Sequence, residues 1–328
     1  MKTSSLLVVN LIIWSVLLGS VLSNNEYITF NILALPPSVT GPESVAFDRG
    51  GEGPYVTVAD GRILKWKGPT VGFVYFAYTA PTRTNKLCDG TNDLELGPIC
   101  GRPVALSFNY KTSDLYITDA FFGLLVVGFN GGLATQLSRG FKYLSGIDVE
   151  SYTGNVYMTD ASLTFDIRNM AQPGFTPDST GRLLKYDPRT KRVTVLISGL
   201  SGVGGPAVSS DRKYVLVPDY VNMKVQRYWL QGPKRNTNEV FLTNCTGSPI
   251  NIKRTVNDEE FWVAVDNQGQ QPTVNSEPHG LRVNGFAVVL QTAPLPQFLD
   301  MSVTVVQEIN DALYVGSSHA DFVGVYTK

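Results

Sequence analysis

Short runs in which apolar and polar residues alternate recur along the whole chain, and few segments sustain a helical period. Six of these runs end alike: Tyr55-Val56-Thr57-Val58-Ala59-Asp60, Leu115-Tyr116-Ile117-Thr118-Asp119, Val156-Tyr157-Met158-Thr159-Asp160, Val215-Leu216-Val217-Pro218-Asp219, Phe261-Trp262-Val263-Ala264-Val265-Asp266 and Leu313-Tyr314-Val315-Gly316-Ser317. A period-two pattern of β-branched and aromatic residues is the signature of half-buried strands. Each run follows, roughly ten residues earlier, a second alternating strand and a polar turn, as in PVALSFNYKTSD (103–114) and MSVTVVQEIND (301–311). Most precede a third strand, as in GRILKW (61–66), GRLLKYD (181–187) and MKVQRYWL (223–230).

Spacings of roughly forty and sixty residues between such units point to a repeat architecture in which no unit buries both faces alone. The expectation is a six-bladed β-propeller of all-β class, in preference to a pair of β-sandwiches, which would not account for the recurring strand. The segment from Pro294 to Lys328 reads as one complete blade, with a turn at Asn310-Asp311. Residues 162–181 (SLTFDIRNMAQPGFTPDSTG) interrupt the rhythm and predict a short helix and loop over one end of the channel.

The first 23 residues lie outside this pattern. Lys2, an apolar run from Leu6 to Leu18 and the small-residue end at Ser23 read as a signal peptide cut before Asn24, with the propeller filling 24–328. The apolar run is short of the ~20 residues that span a bilayer. After cleavage nothing in the chain calls for a membrane partner.

Composition changes the picture little. The chain is 43% apolar and 17% charged with net charge −1, and it has no basic stretch of the length that nucleic-acid binding needs. Cys88 and Cys100 bracket a polar loop that a disulfide could close in an oxidising lumen. Cys245 reads as a buried thiol, and it lies inside Asn244-Cys245-Thr246, the glycosylation acceptor of the mature chain. His279 and His319 read as exposed loop residues, and GPKRNTN (232–238) as a solvated loop. No phosphate loop, Cys/His metal spacing or Ser-His-Asp arrangement can be assembled, so no cofactor is expected.

Several stretches carry a family resemblance: GPESVAFD (41–48), LCDGTNDLELGPICGRPVALSFN (87–109), TGRLLKYDPRTKRVTVL (180–196), VQRYWLQGPKRNTNEVF (225–241) and NIKRTVNDEEFWVAV (251–265). Together they resemble plant strictosidine synthase and its strictosidine synthase-like relatives, over about Tyr27 to Lys328. The resemblance implies a six-bladed propeller, a Cys88–Cys100 disulfide, a vacuolar or extracellular location and a pair of small-molecule substrates. The name-giving enzyme condenses the amine tryptamine with the aldehyde secologanin in a Pictet–Spengler reaction of alkaloid biosynthesis. That chemistry needs a carboxylate in a dry pocket and an aromatic slot for the indole.

Carried over residue by residue, the catalytic glutamate falls on Thr304, a neighbouring histidine on Ser302, a pocket phenylalanine on Tyr220 and the acid before it on Asp219. The second pocket histidine falls in 269–277, where none stands. A threonine hydroxyl is no base near neutral pH without another base beside it. Asp219 is therefore the first substitute to consider, against a turn role like that of Asp119 and Asp160. Glu308 is a weaker one: on an unbroken strand it shares Thr304's parity, ~13 Å along.

Two other function classes stay in view. Related propellers of the gluconolactonase and paraoxonase type are calcium-dependent esterases or lactonases, and Glu43 resembles their first ligand. Their blade-four asparagine falls on Gly205, and their PDN motif reads Pro249-Ile250-Asn251. A non-catalytic binding protein of the secretory pathway is the third class.

Overall fold

A computed structural model describes residues 27–243, 245–257, 259–267 and 277–328. The proposed signal peptide and Asn244 lie outside the described residues. The described chain forms six sheets, the six blades expected, antiparallel throughout except where Gly132–Leu133 joins the edge of the first blade in parallel. Their innermost strands are Val45–Ala46, Pro103–Asn109, Leu144–Glu150, Ala207–Val208, Ser248–Arg254 and Val303–Ile309. Each predicted recurring run is the second strand of its blade, for example Asp114–Asp119 and Tyr214–Asp219.

The last blade is not complete in its own segment. Val303–Ile309, Ala312–Ser317 and Phe322–Thr327 supply three strands, and the outermost is Thr29–Ala34 from the start of the described chain. That strand runs antiparallel to the last one, from Thr29 opposite Thr327 to Ala34 opposite Phe322. Pro294 belongs instead to the outer strand of blade five, Val289–Pro294. The physical reason is closure: a ring of blades is sealed only when its two ends share a sheet. Asn310 and Asp311 form the expected tight hairpin turn, both with positive φ, the conformation a two-residue loop of that kind demands.

Among the described residues the core is divided between the blades. Six apolar clusters lie one in each gap between neighbouring blades, because side chains of a strand alternate between its two faces and each face meets another blade. Blades four and five share Leu216, Val225, Ile252, Phe261 and Val263, all fully buried. Burial of each such side chain is worth about 1.5–3 kcal/mol.

A seventh cluster roofs one mouth of the channel. The expected insertion holds the helix Ile167–Met170, started by Asp166, whose carboxylate accepts from the Arg168 and Asn169 amides. Ile167 packs with Val104, Ala120, Leu94 and Phe121. Arg168 lies over the Phe121 ring at 5.7 Å and 3.5 Å from Glu95. Leu94 and Glu95 belong to the loop between blades one and two, closed by the Cys88–Cys100 disulfide. Among the described residues no helix is long and apolar enough to cross a membrane.

Candidate functional site

A regular inner strand turns its side chains towards the two neighbouring blades and only its edge towards the axis. A bulge changes that, because the extra residue is left unpaired and is re-aimed. Four inner strands carry such an irregularity near the roofed mouth, at Val104, Ser145, Ile250 and Thr304. In the last, the register passes from Val303 opposite Ser317 to Val305 opposite Gly316, leaving Thr304 without a partner residue. In blade four, five residues (203–207) stand opposite four (216–219), so one extra residue is accommodated at Gly204-Gly205. Here only glycine fits, since a Cβ on Gly204 would come 1.6 Å from the Ile250 carbonyl oxygen. In blade one, Glu43 takes the corresponding place just before the strand.

These six positions line one cavity of about 240 Å³, together with Tyr143, Tyr220, Asn251 and Met170 of the insertion helix. Tyr220 is held by close packing on Gly202, where a Cβ would lie 2.3 Å from its ring. The volume is below the ~300–1,000 Å³ of pockets for drug-sized ligands. A small ligand fits the cavity as it stands, with Met170 of the insertion helix as part of its wall.

Among the described residues Glu43 is the only carboxylate on this lining. It accepts from the Arg102 guanidinium at 3.3 Å, and Arg102 also reaches the Ala59 carbonyl oxygen. Burial raises the Glu43 carboxyl above its ordinary value, while the Arg102 charge and hydrogen bond and the more distant His319 pull the other way. Burial likewise raises the Tyr143 and Tyr220 phenols, Tyr143 further because of the Glu43 charge. Ser145 Oγ donates to the Val203 carbonyl oxygen at 2.8 Å. Thr304 Oγ1 and Asn251 Oδ1 are buried without a hydrogen-bond partner. Both atoms belong to residues of the cavity wall, and each costs about 1–3 kcal/mol while its hydrogen bond is left unmade.

The structure brings Thr304, Tyr220 and Glu43 together and places the other sequence candidates elsewhere. Asp219 does not line the cavity. Its carboxylate accepts from the Ser201 amide at 3.1 Å and Asn222 Nδ2 at 2.8 Å, with Lys224 at 3.4 Å, the fastening role that Asp160 has towards the Tyr143 amide. Ser302 Oγ donates to Asp266 at 2.7 Å and is also off the lining. Glu308 lies between blades, where it accepts from Tyr27 at 3.0 Å and Trp262 Nε1 at 2.8 Å. The bulge at Thr304 breaks the parity that related these two residues on an unbroken strand.

His279 is a correction of a different kind. It is a buried strand residue 3.0 Å from Thr246 Oγ1, not an exposed loop residue, whereas His319 is exposed as expected. Cys245 is a free, buried thiol, which burial raises to about 11. Sequence reasoning missed Tyr143 and the role of Asn251 on the cavity, although Asn251 opens the NIKR motif.

The donor set suits a calcium ion poorly. Calcium takes six to eight hard oxygens. This lining offers one carboxylate, already facing a guanidinium, with the free Asn251 oxygen, and the described residues hold no cluster of three His, Cys, Asp or Glu side chains.

Comparison with known proteins agrees with the geometry. Residues 145–233 match the strictosidine synthase family, and residues 24–66 match the N-terminal family of strictosidine synthase-like proteins. The chain is 42% identical to Protein STRICTOSIDINE SYNTHASE-LIKE 11 of Arabidopsis thaliana, over 94% of both chains. The chain belongs to the strictosidine synthase-like family. To strictosidine synthase of Catharanthus roseus it is 38% identical, over 87% of this chain and 82% of that enzyme. Among solved structures, a gluconolactonase from Xanthomonas campestris superposes with a TM-score of 0.63 at 13% identity, covering 92% of this chain and 91% of that one. Regucalcin of Agrobacterium tumefaciens gives 0.62 at 12%, covering 89% and 92%. At such identities these two speak for the propeller alone.

Proposed function

We infer that this chain binds a small polar organic molecule at the roofed mouth of its propeller and does not condense tryptamine with secologanin at an appreciable rate. One observation carries this reading: Thr304 stands on the cavity wall with no acid or base bonded to its hydroxyl, which is buried and unpartnered. The condensation requires a proton to be taken from carbon after the indole attacks the iminium, and an isolated hydroxyl cannot take it near neutral pH. The substitutes foreseen from the sequence do not help, since Asp219 and Glu308 are engaged off the lining. The chain works in the secretory pathway, vacuole or cell exterior: the leader-like residues 1–23, the disulfide and the acceptor at Asn244 support this.

The test is turnover of tryptamine and secologanin by the purified mature protein and by Thr304→Glu. The wild type is expected to yield no strictosidine above the uncatalysed background, and Thr304→Glu to yield a measurable rate. Wild-type turnover that persists in Thr304→Val refutes the reading.

A further inference from the structure

A second and larger cavity, of about 510 Å³, opens at the opposite mouth of the channel. It is lined by the far ends of the inner strands, including Leu106 and Ser107, Asp148, Ile252 to Arg254 and Gln307. Lys253 is three residues beyond Ile250, ~10 Å along the blade-five strand. Its side chain crosses the waist of the channel, and Nζ donates to the Leu106 carbonyl oxygen of blade two at 3.3 Å. Blades two and five stand opposite each other in a ring of six.

We propose that Lys253 is a nucleophilic amine, which takes a small aldehyde or ketone from the larger cavity as a reversible imine. Three observations bear on this. Its one hydrogen bond goes to a backbone carbonyl, and among the described residues no carboxylate lies within ion-pair distance of it. The neighbouring Asp148 is engaged otherwise: it accepts from Ser107 Oγ at 3.1 Å and from the Val208 amide at 2.8 Å, and Arg254 lies 3.7 Å from it. Finally, burial and the Arg254 charge lower the affinity of Lys253 for its proton, against the opposing pull of Asp148. A desolvated lysine beside a second cation is the arrangement that frees an amine lone pair near neutral pH.

Other charged and titratable groups also face the cavity. Asp48 and Arg49 come from blade one, Tyr110 from blade two, and Glu308 from blade six with its carboxylate taken by Tyr27 and Trp262. In the condensation the Nζ lone pair forms the C–N bond, and the carbonyl oxygen departs as water with the two amine protons. Hydrolysis returns both partners, and no redox partner is needed. The site is separate from the Glu43 cavity, so it stands whether or not the reading of Thr304 does.

The test uses the intact mature protein with butanal and cyanoborohydride near neutral pH, followed by peptide mapping by mass spectrometry. Lys253 is expected to acquire the N-butyl group several-fold faster than the exposed Lys86, Lys142 and Lys191, because a lowered proton affinity leaves more of the amine free near neutral pH. The midpoint of its pH–rate profile should lie below theirs. Lys253→Arg should lose this adduct alone, with surface labelling unchanged. An unmodified Lys253 amid labelled surface lysines overturns the proposal, as does a pH–rate midpoint equal to theirs. Either outcome is read on the wild type and does not depend on the variant folding.

Discussion

Arg102 donates to Glu43 at 3.3 Å, so a cation from the entry to blade two holds the one carboxylate that the described residues place on the roofed cavity. The pair is partly dry, each side chain 12% exposed. Burial outweighs the guanidinium and leaves the Glu43 carboxyl raised above 4.5.

That direction makes a pH prediction. Between its unfolded and its raised folded value, Glu43 binds more protons in the folded state, so its contribution to stability falls as pH rises through that window. Glu43→Gln removes the titration, while the loss of the charge partner of Arg102 is a constant offset. The difference in melting temperature, variant minus wild type, should therefore move in favour of the variant from about pH 4 to about pH 7. A difference that is flat, or that moves the other way, contradicts the burial of this carboxylate.

Thr304→Val keeps the shape of the side chain and deletes an orphaned hydroxyl. It should stabilise the ligand-free protein by about 1 kcal/mol, read by urea unfolding. It should also weaken any polar ligand that uses the hydroxyl. Destabilisation by the same amount would mean that Oγ1 has a partner, such as an ordered water.

Glu308 ties three parts of the chain together, from Tyr27 ahead of the closing strand to Trp262 in blade five. Glu308→Ala leaves two buried donors unmade and should cost about 3 kcal/mol, with Glu308→Gln costing less because an acceptor oxygen remains. Ligand binding at the roofed mouth should not change in either variant. A loss of binding without a loss of stability would return Glu308 to the site.

Much of the fold was legible in the chain. Alternation with period two marks strands whatever their neighbours are, so the blade count, the third strands and the hairpin at Asn310-Asp311 followed from local chemistry. The insertion helix was legible as a break in that alternation, and the disulfide through the family's paired cysteines. The candidate site was legible only in part, as Thr304, Tyr220 and Glu43 came from matched motifs. Tyr143 and Asn251 reached the cavity unannounced, while Asp219, Ser302 and Glu308 left it.

The amino-acid sequence by itself determined six sheets and the residue types available at their ends. Only the tertiary structure decided which side chains face the axis, because in a propeller that direction is set by bulges and not by strand parity. Thr304 and Glu308 look equivalent along a regular strand, yet one unpaired residue turns the first into the channel while the second stays between blades. Closure was equally invisible along the chain. The strand that completes the last blade begins at Thr29, and only the ring brings it beside Thr327.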